Sequence, residues 1–459
     1  MYGIPIPPAG VVEADQPPHS SLPRVPILAR VGRLVRRARG DSLLRNSIYG
    51  MATTAATSAL GYLYWIAAAR AYAARDVGLG AALVAAVTLA SSLSSLGLGA
   101  TLVRLLPRRT ASRAWSTLLN AALACGLATG LIAGLVTVLM LPVAAHALAD
   151  LCRHPLIIAL ILCGVPLWTA SAVLDAVFLS ARASGNILAR NTVFSVLKAP
   201  LLVAPLLVGR HGADGATVIV GSWVLATALA LAAGLVLLRG VKPDYDPLAW
   251  HHVRADIRVL RGSLAAQQLI DVGGAAPMYL LPLLVTARLS AAQNAYFYTT
   301  WMVGGLFFAV SPAVASALFA EAAHVVGDKG VGPAARSAMA LIAALLGPAI
   351  VLMLLGGSLV LGLFGPAYPR YGTALLAVLV VSAIPDAITN VYVGAGRGGA
   401  RPSRAAALNL AMAGIALVLA WLLLPLLGIA GAGWAWLAAQ SAGSVAVGAG
   451  VWRGRRRGS

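Results

Sequence analysis

From Asn46 onward the chain is a series of apolar runs of about 20 residues separated by short polar stretches. Runs of that length cross a hydrocarbon core of ~30 Å as α-helices. The pattern predicts twelve spans, near residues 46–69, 77–103, 115–141, 156–180, 191–209, 216–238, 263–286, 296–319, 337–361, 372–394, 405–427 and 429–451. The runs are too long, and alternate too little, to be strands of a membrane barrel. No short apolar stretch precedes Asn46, so no cleavable signal peptide is expected.

The last six runs repeat the first six. Ala69-Arg70-Ala71-Tyr72 leaves the first run and Ala287-Arg288-Leu289-Ser290 leaves the seventh, an offset of 218 (69 to 287). Gly212–Ala216 and Gly428–Ala432 follow the fifth and eleventh runs at an offset of 216, and the basic loops holding Arg182 and Arg397 differ by 215. An even number of spans per half gives both halves one orientation, and parallel repeats of this kind enclose a site between two bundles. The expected fold is an all-α polytopic membrane protein, twelve transmembrane helices in two parallel-repeat six-helix bundles around a central cavity. The bundles are expected at 46–238 and 263–451, with a linker at 239–262 and tails at 1–45 and 452–459.

Composition agrees: 60% of residues are hydrophobic and only 10% charged, where a soluble domain carries roughly a quarter. The net charge of +20 changes the picture only through its placement. With the N-terminus inside, the cytoplasmic segments hold 27 of the 34 Lys and Arg residues, which satisfies the positive-inside rule at each crossing. The charge sets topology, and no interleaved aromatic patch reads bases, so nucleic acid is not an expected partner. Arginine outnumbers lysine 31 to 3 in an alanine-rich chain, which suggests a GC-rich bacterial source and a multi-pass protein of the cytoplasmic membrane with both termini inside.

Two segments outside the runs are amphipathic. The tail begins Pro-rich and unsuited to regular helix. Over residues 26–39, Leu28, Val31, Leu34 and Val35 share a face opposite Arg30, Arg33, Arg36 and Arg37. That is either a helix lying on anionic membrane lipids or a solvated basic tail. In the linker, Val253, Ile257 and Leu260 are spaced i, i+4, i+7, with Arg254, Arg258 and Arg261 one residue on. This predicts a second interfacial helix joining the bundles.

Chemistry of an enzymatic kind is absent from the pattern. Cys125, Cys152 and Cys163 have no metal-type spacing, and the seven histidines are scattered. Loops on the outer side, about 5–15 residues long, leave little room for the catalytic domain of a membrane glycan polymerase. Attention falls instead on charges inside spans, which are costly and usually face a cavity or one another. These are Asp175, Lys198, Asp271 and Asp386, expected at one level roughly 8–13 Å from the inner side at ~1.5 Å per residue. Asp175 and Lys198, on consecutive spans, can either pair with one another or face a substrate. Asp271 shares a polar stripe with Ser263 and Gln267, and span one answers with Asn46, Ser47, Thr53, Thr54, Thr57 and Ser58. These faces are expected to line the cavity, the alternative being hydroxyls bonded back to their own helix. Asp386 follows Pro385, where a carbonyl loses its helical donor, a setting for a kink or a cation site.

Arg45-Asn46-Ser47 entering span one, Ala69-Arg70-Ala71-Tyr72 leaving it, Asp76-Val77-Gly78 opening span two, and Ser95-Leu96-Gly97-Leu98-Gly99 through Arg104 closing it together resemble a known family. It is the polysaccharide-biosynthesis (O-antigen type) flippase family of the multidrug/oligosaccharidyl-lipid/polysaccharide exporter (MOP) superfamily. The resemblance covers about Arg45 to Val451 and implies two six-helix bundles that alternate between inward-open and outward-open states. The cargo it implies is a polyprenyl-pyrophosphate-linked oligosaccharide, with glycan polymerases or glycosyltransferases as associated partners and no cofactor beyond a coupling H⁺ or Na⁺. Lys198 would then be the deep counter-ion of the pyrophosphate, with Arg45, Arg104 and Arg261 at the inner mouth. Three deep carboxylates beside one lysine depart from the basic cavities of that family, and keep open a cation-coupled small-molecule or multidrug exporter of the same superfamily.

Overall fold

A chain segment surrounded by hydrocarbon must satisfy its own backbone N–H and C=O groups, so the apolar runs fold as helices. A computed structural model of the protein describes residues 42–456, apart from 96, 208–213, 251–252, 263–264, 326–331 and 398–401. The amphipathic stretch of the tail lies outside the described residues. The main helices are α1 (Ser42–Ala71), α2 (Ala74–Ser94), α3 (Leu98–Leu105), α4 (Ser112–Ala144), α5 (Pro155–Ser180), α6 (Ser184–Leu207) and α7 (Gly215–Val241) in the first half. After α8 (Val253–Gly262) come α9 (Ala265–Arg288), α10 (Ala291–Val325), α11 (Gly332–Gly362), α12 (Ala367–Arg397), α13 (Pro402–Leu427) and α14 (Ala430–Arg456). All but α3 and α8 correspond to the twelve runs. Nine of them are long and apolar enough over their described residues to cross a membrane.

One run is not a single helix. The span expected at 77–103 breaks between α2 and α3, where Gly97 takes a left-handed conformation with φ of 71°. Glycine enters that region without a Cβ clash, so the chain turns there and restarts as the short α3.

The repeat is visible in the packing. Helices α2, α6 and α7 begin 217, 218 and 215 residues before α10, α13 and α14 (74 to 291, 184 to 402, 215 to 430). The pairs α1/α6, α4/α5, α5/α7 and α6/α7 of the first half are matched by α9/α13, α11/α12, α12/α14 and α13/α14 in the second. On α4 the stripe Gly126, Gly130 and Gly134 faces α5, so close that a Cβ at Gly130 would come within 2.8 Å of Pro166 Cα. Small residues at four-residue spacing let helices approach where lipid removes the usual hydrophobic drive. The other side of α4 presents exposed Leu131, Leu135, Leu139 and Val143, as a lipid-facing surface requires.

The halves meet where α2 packs on α9 and α10. Gly78 has no room for a Cβ against the Ala291 carbonyl, and the buried Asn294 donates its Nδ2–H to Gly78 O at 2.8 Å. Nearby, Arg70 donates from Nε to Leu363 O at 2.9 Å and from Nη2 to Gly362 O at 3.1 Å, covering carbonyls at the C-terminus of α11. Tyr62 donates to Met302 O at 2.6 Å. These contacts lie toward the end of the molecule where α1 finishes. Arg104, Arg108, Arg113, Arg239 and Arg254 belong to the other, basic end.

The linker does not behave as an interfacial helix. The apolar face of α8, Val253, Ile257 and Leu260, packs on Leu98, Leu102, Leu106 and Trp115 of the first half, so it meets protein rather than lipid. The cause is polar: buried Asp256 pairs with Arg109 at 2.6 Å, and Asn120 Nδ2 reaches the carbonyls of Asp246, Pro247 and Ala249 at 3.0–3.2 Å. Tyr245 donates its hydroxyl to Asn120 Oδ1 at 2.7 Å. Burial and the adjacent Asp246 carboxylate raise the Tyr245 phenol above its ordinary range, keeping it a donor at neutral pH.

Gly78→Val is expected to force α2 away from α10, a small-to-large change costing about 1–3 kcal/mol. Thermal unfolding of detergent-solubilised protein checks this: the midpoint should fall. Gly347→Ala, at a position with nothing within 4 Å of an added Cβ, should leave it unchanged or slightly higher.

Candidate functional site

Away from the α2–α10 contact the halves enclose a cavity of about 760 Å³. Its wall is built from α1, α2, α5, α6 and α7 on one side and α9, α10, α12 and α14 on the other. Asp175, Lys198 and Asp386, expected from the sequence as cavity residues, all reach this wall. Arg104 does not: it is exposed at the end of α3 and is not among the lining residues. The side chains of Arg45, Asn46, Arg261, Gln267 and Asp271 lie outside the described residues.

The two charges expected to be able to pair do not pair. Asp175 on α5 binds Arg190 on α6 in a two-pronged ion pair, Nε to Oδ1 at 3.0 Å and Nη2 to Oδ2 at 2.6 Å. Arg190 also donates to Asn191 Oδ1 at 2.7 Å. The reason is register. Helix α6 begins at Ser184, seven residues before the expected span, so Arg190 lies inside it, level with Asp175 across the α5–α6 turn. Lys198 is eight residues further along, ~12 Å deeper at ~1.5 Å per residue, so the deep charges do not share one level.

Lys198 is instead held by rings. Only 3% exposed, its Nζ sits 5.0, 4.9 and 4.8 Å from the ring centroids of Tyr64, Phe194 and Trp223. Trp223 is stacked on Trp168 at 5.4 Å, with Phe194 edge-on to both. A desolvated cation over a ring face gains up to ~2 kcal/mol, which offsets part of the loss of water without neutralising the charge. No carboxylate pairs with Lys198 among the described residues.

Asp386 occupies the place on α12 that Asp175 has on α5, 19 residues from the helix start against 20 (367 to 386, 155 to 175). Its surroundings differ. It is 4% exposed and accepts from Asn390 Nδ2 at 2.8 Å; among the described residues it forms no ion pair. Helix α12 runs on through Pro385, braced by α14, from which Ser444 donates to Pro385 O at 2.8 Å and Gln440 accepts from Thr389 at 2.9 Å. The second half has its own aromatic group, Trp301 against Trp436 at 5.4 Å with Phe308 beside it.

On α1 both readings of the hydroxyl stripe apply. Thr53 donates to Tyr49 O and Thr57 to Thr53 O, each at 2.7 Å along their own helix, while Thr57 and Ser58 still line the cavity. Arg190, Asn191, Asn390 and the five cavity tryptophans were not singled out by sequence. Arg190 fell one residue outside its expected span, and the tryptophans come from five separate helices. Among the described residues no group of three His, Cys, Asp or Glu side chains could hold a metal ion.

A family model described as "Polysaccharide biosynthesis protein" matches residues 43–254. The resemblance to that family covers a little less than half of the chain. The match takes in the segments around Arg45 and Asp76 that first suggested that family. No curated protein matches the chain. Among solved structures, an inward-facing multidrug resistance MATE family transporter of the MOP superfamily is 13% identical with a TM-score of 0.64, covering 87% of this chain and 94% of that one. The lipid II flippase MurJ in an inward closed conformation is 11% identical with a TM-score of 0.66, covering 88% and 87%. A MOP superfamily transporter from Pyrococcus furiosus, whose binding pocket is described as of reverse polarity, is 15% identical with a TM-score of 0.55, covering 91% and 95%. At these identities the likeness establishes the fold: the two-bundle, twelve-helix arrangement expected from the repeat is the one shared with MOP-superfamily transporters.

The Asp175–Arg190 pair is expected to behave as a unit. Asp175→Asn or Arg190→Gln alone should destabilise the protein by about 3 kcal/mol, the low end for a broken buried pair, because the Asp175 side chain keeps 29% exposure. Denaturation of the double variant checks it: its loss should be well below the sum of the single losses.

Proposed function

We propose that the protein flips a polyprenyl-pyrophosphate-linked oligosaccharide from the inner to the outer leaflet of a bacterial cytoplasmic membrane, by alternating access of its two halves. The observation that carries this reading is Lys198, a buried cation on the wall of a cavity shared by both halves, packed among rings with no carboxylate partner among the described residues. Arg190 is engaged by Asp175, which leaves Lys198 as the deep positive charge that an entering anion can meet. Uncatalysed, a charged and hydroxyl-rich head would have to cross hydrocarbon at a prohibitive desolvation cost; a polar cavity with a cation inside lowers it. A charge-assisted contact between ammonium and pyrophosphate is the strong kind.

The rest of the structure is consistent with that cycle. In the positive-inside orientation the basic end faces the cytoplasm, where exposed Arg104 attracts anionic head groups to the entrance. The inter-half contacts at Arg70, Gly78 and Asn294 then lie toward the outer side, as in a state closed to the outside. Surface-polysaccharide biosynthesis also supplies the expected partners, the glycosyltransferases that build the cargo and a polymerase that receives it. A second reading, a cation-coupled exporter of small molecules, is favoured by one observation, the buried Asp386, which forms no ion pair among the described residues.

Lys198→Met keeps the stem and removes the charge. In a deletion strain it is expected to leave surface glycan at the level of the empty vector, with lipid-linked oligosaccharide accumulating on the inner leaflet, while Lys198→Arg restores part of the export. Quantifying both pools checks this. Normal glycan together with altered sensitivity to cationic drugs would instead favour the exporter.

A further inference from the structure

Resting on the flippase reading, we infer that the second-half wall of the cavity is a saccharide subsite, formed by Asp386, Asn390 and Trp436, and that it accepts neutral sugars and rejects uronic acids. The cavity is electrically divided. Among the described lining residues, Lys198 and the Arg190–Asp175 pair project from the first half, whereas Asp386 and Asn390 project from the second. A sugar-bearing pyrophosphate is divided in the same sense, anionic at the lipid end and rich in hydroxyls beyond it.

The second-half wall has unused hydrogen-bonding capacity of the kind a sugar fills. A carboxyl group offers several lone-pair sites, and Asp386 accepts a single described hydrogen bond, from Asn390. Trp436 is only partly buried. Its ring lines the same cavity beside Trp301. A sugar ring supplies what this wall can use: hydroxyl protons for Asp386 and C–H faces for the aromatic surfaces of Trp436 and Trp301. A uronic acid at this wall would set a second carboxyl group against Asp386 in a site shielded from water, where two adjacent carboxylates cannot both ionise.

The test uses the full chain in proteoliposomes with two fluorescent polyprenyl-pyrophosphate disaccharides, one ending in a neutral hexose and the other in the matching hexuronic acid. Initial transbilayer rates are read from loss of access to an impermeant quencher. Wild type should move the neutral probe about tenfold faster, equivalent to ~1.4 kcal/mol, and Asp386→Asn should bring the two rates close together. Trp436→Ala, which removes the ring face, should slow the neutral probe about fivefold. If Asp386→Asn fails to fold, Asn390→Ala carries the same comparison, with a reduced preference expected. Equal rates in wild type, or a preference unchanged in a folded Asp386→Asn or Asn390→Ala, overturn the subsite while leaving the flippase standing. Movement of neither probe overturns both.

Discussion

The contact between α2 and α10 is the constraint on which the arrangement of the two halves depends. Lipid tails are as apolar as leucine, so helices in a membrane associate through close packing and hydrogen bonds rather than through exclusion of water. Gly78 allows one backbone to lie directly on the Ala291 carbonyl, and at that separation Asn294 can reach Gly78 O. A larger residue at position 78 would remove both effects together. Because this contact lies toward one end, the helices diverge elsewhere, and the space between them becomes the cavity. The repeat supplies the two sides of the contact: α2 and α10 are equivalent helices, so each half presents the same element to the other.

Within the cavity, one ancestral layout has been furnished in different ways. Asp175 and Asp386 stand at equivalent depths on α5 and α12, yet one is neutralised by Arg190 and the other is held by an amide. Lys198 has Ala416 as its counterpart at the α6–α13 offset of 218 (198 to 416), so the second half has no cation at that place. The outcome is a cavity whose halves share a shape and differ in charge. Two identical walls would offer a ligand two equivalent poses, whereas two unlike walls can orient an asymmetric one.

Spans and repeat were legible in the sequence because both depend on run length and spacing, which are local. Even so, the second span hid a break at Gly97, since hydropathy is blind to a positive φ that one glycine permits. The pairing of Asp175 depended on a helix start: placing the fifth span at residue 191 excluded Arg190 and left Lys198 as the apparent partner. Helices extend past their most apolar stretch, and polar residues such as Ser184 and Asn186 can belong to the first turns. The aromatic enclosure of Lys198 draws on α1, α6 and α7, so no window along the chain contains it. What could have pointed to it is the position of Trp65, Trp168 and Trp223 within their spans, rather than at the interfacial ends that tryptophan favours. The linker helix was visible as amphipathic, but whether its apolar face meets lipid or protein was decided by Asp256 and Asn120, whose partners are distant in sequence.

Five of the chain's ten tryptophans, Trp65, Trp168, Trp223, Trp301 and Trp436, line the cavity. Two of them are stacked within 5.4 Å of one another, and one of that pair lies beside an ammonium group. Indole emission responds to nearby charge and to contact with water, so the protein's ultraviolet fluorescence is weighted toward the space between its halves. The protein thus carries an intrinsic optical reporter of that space, one that needs no attached dye.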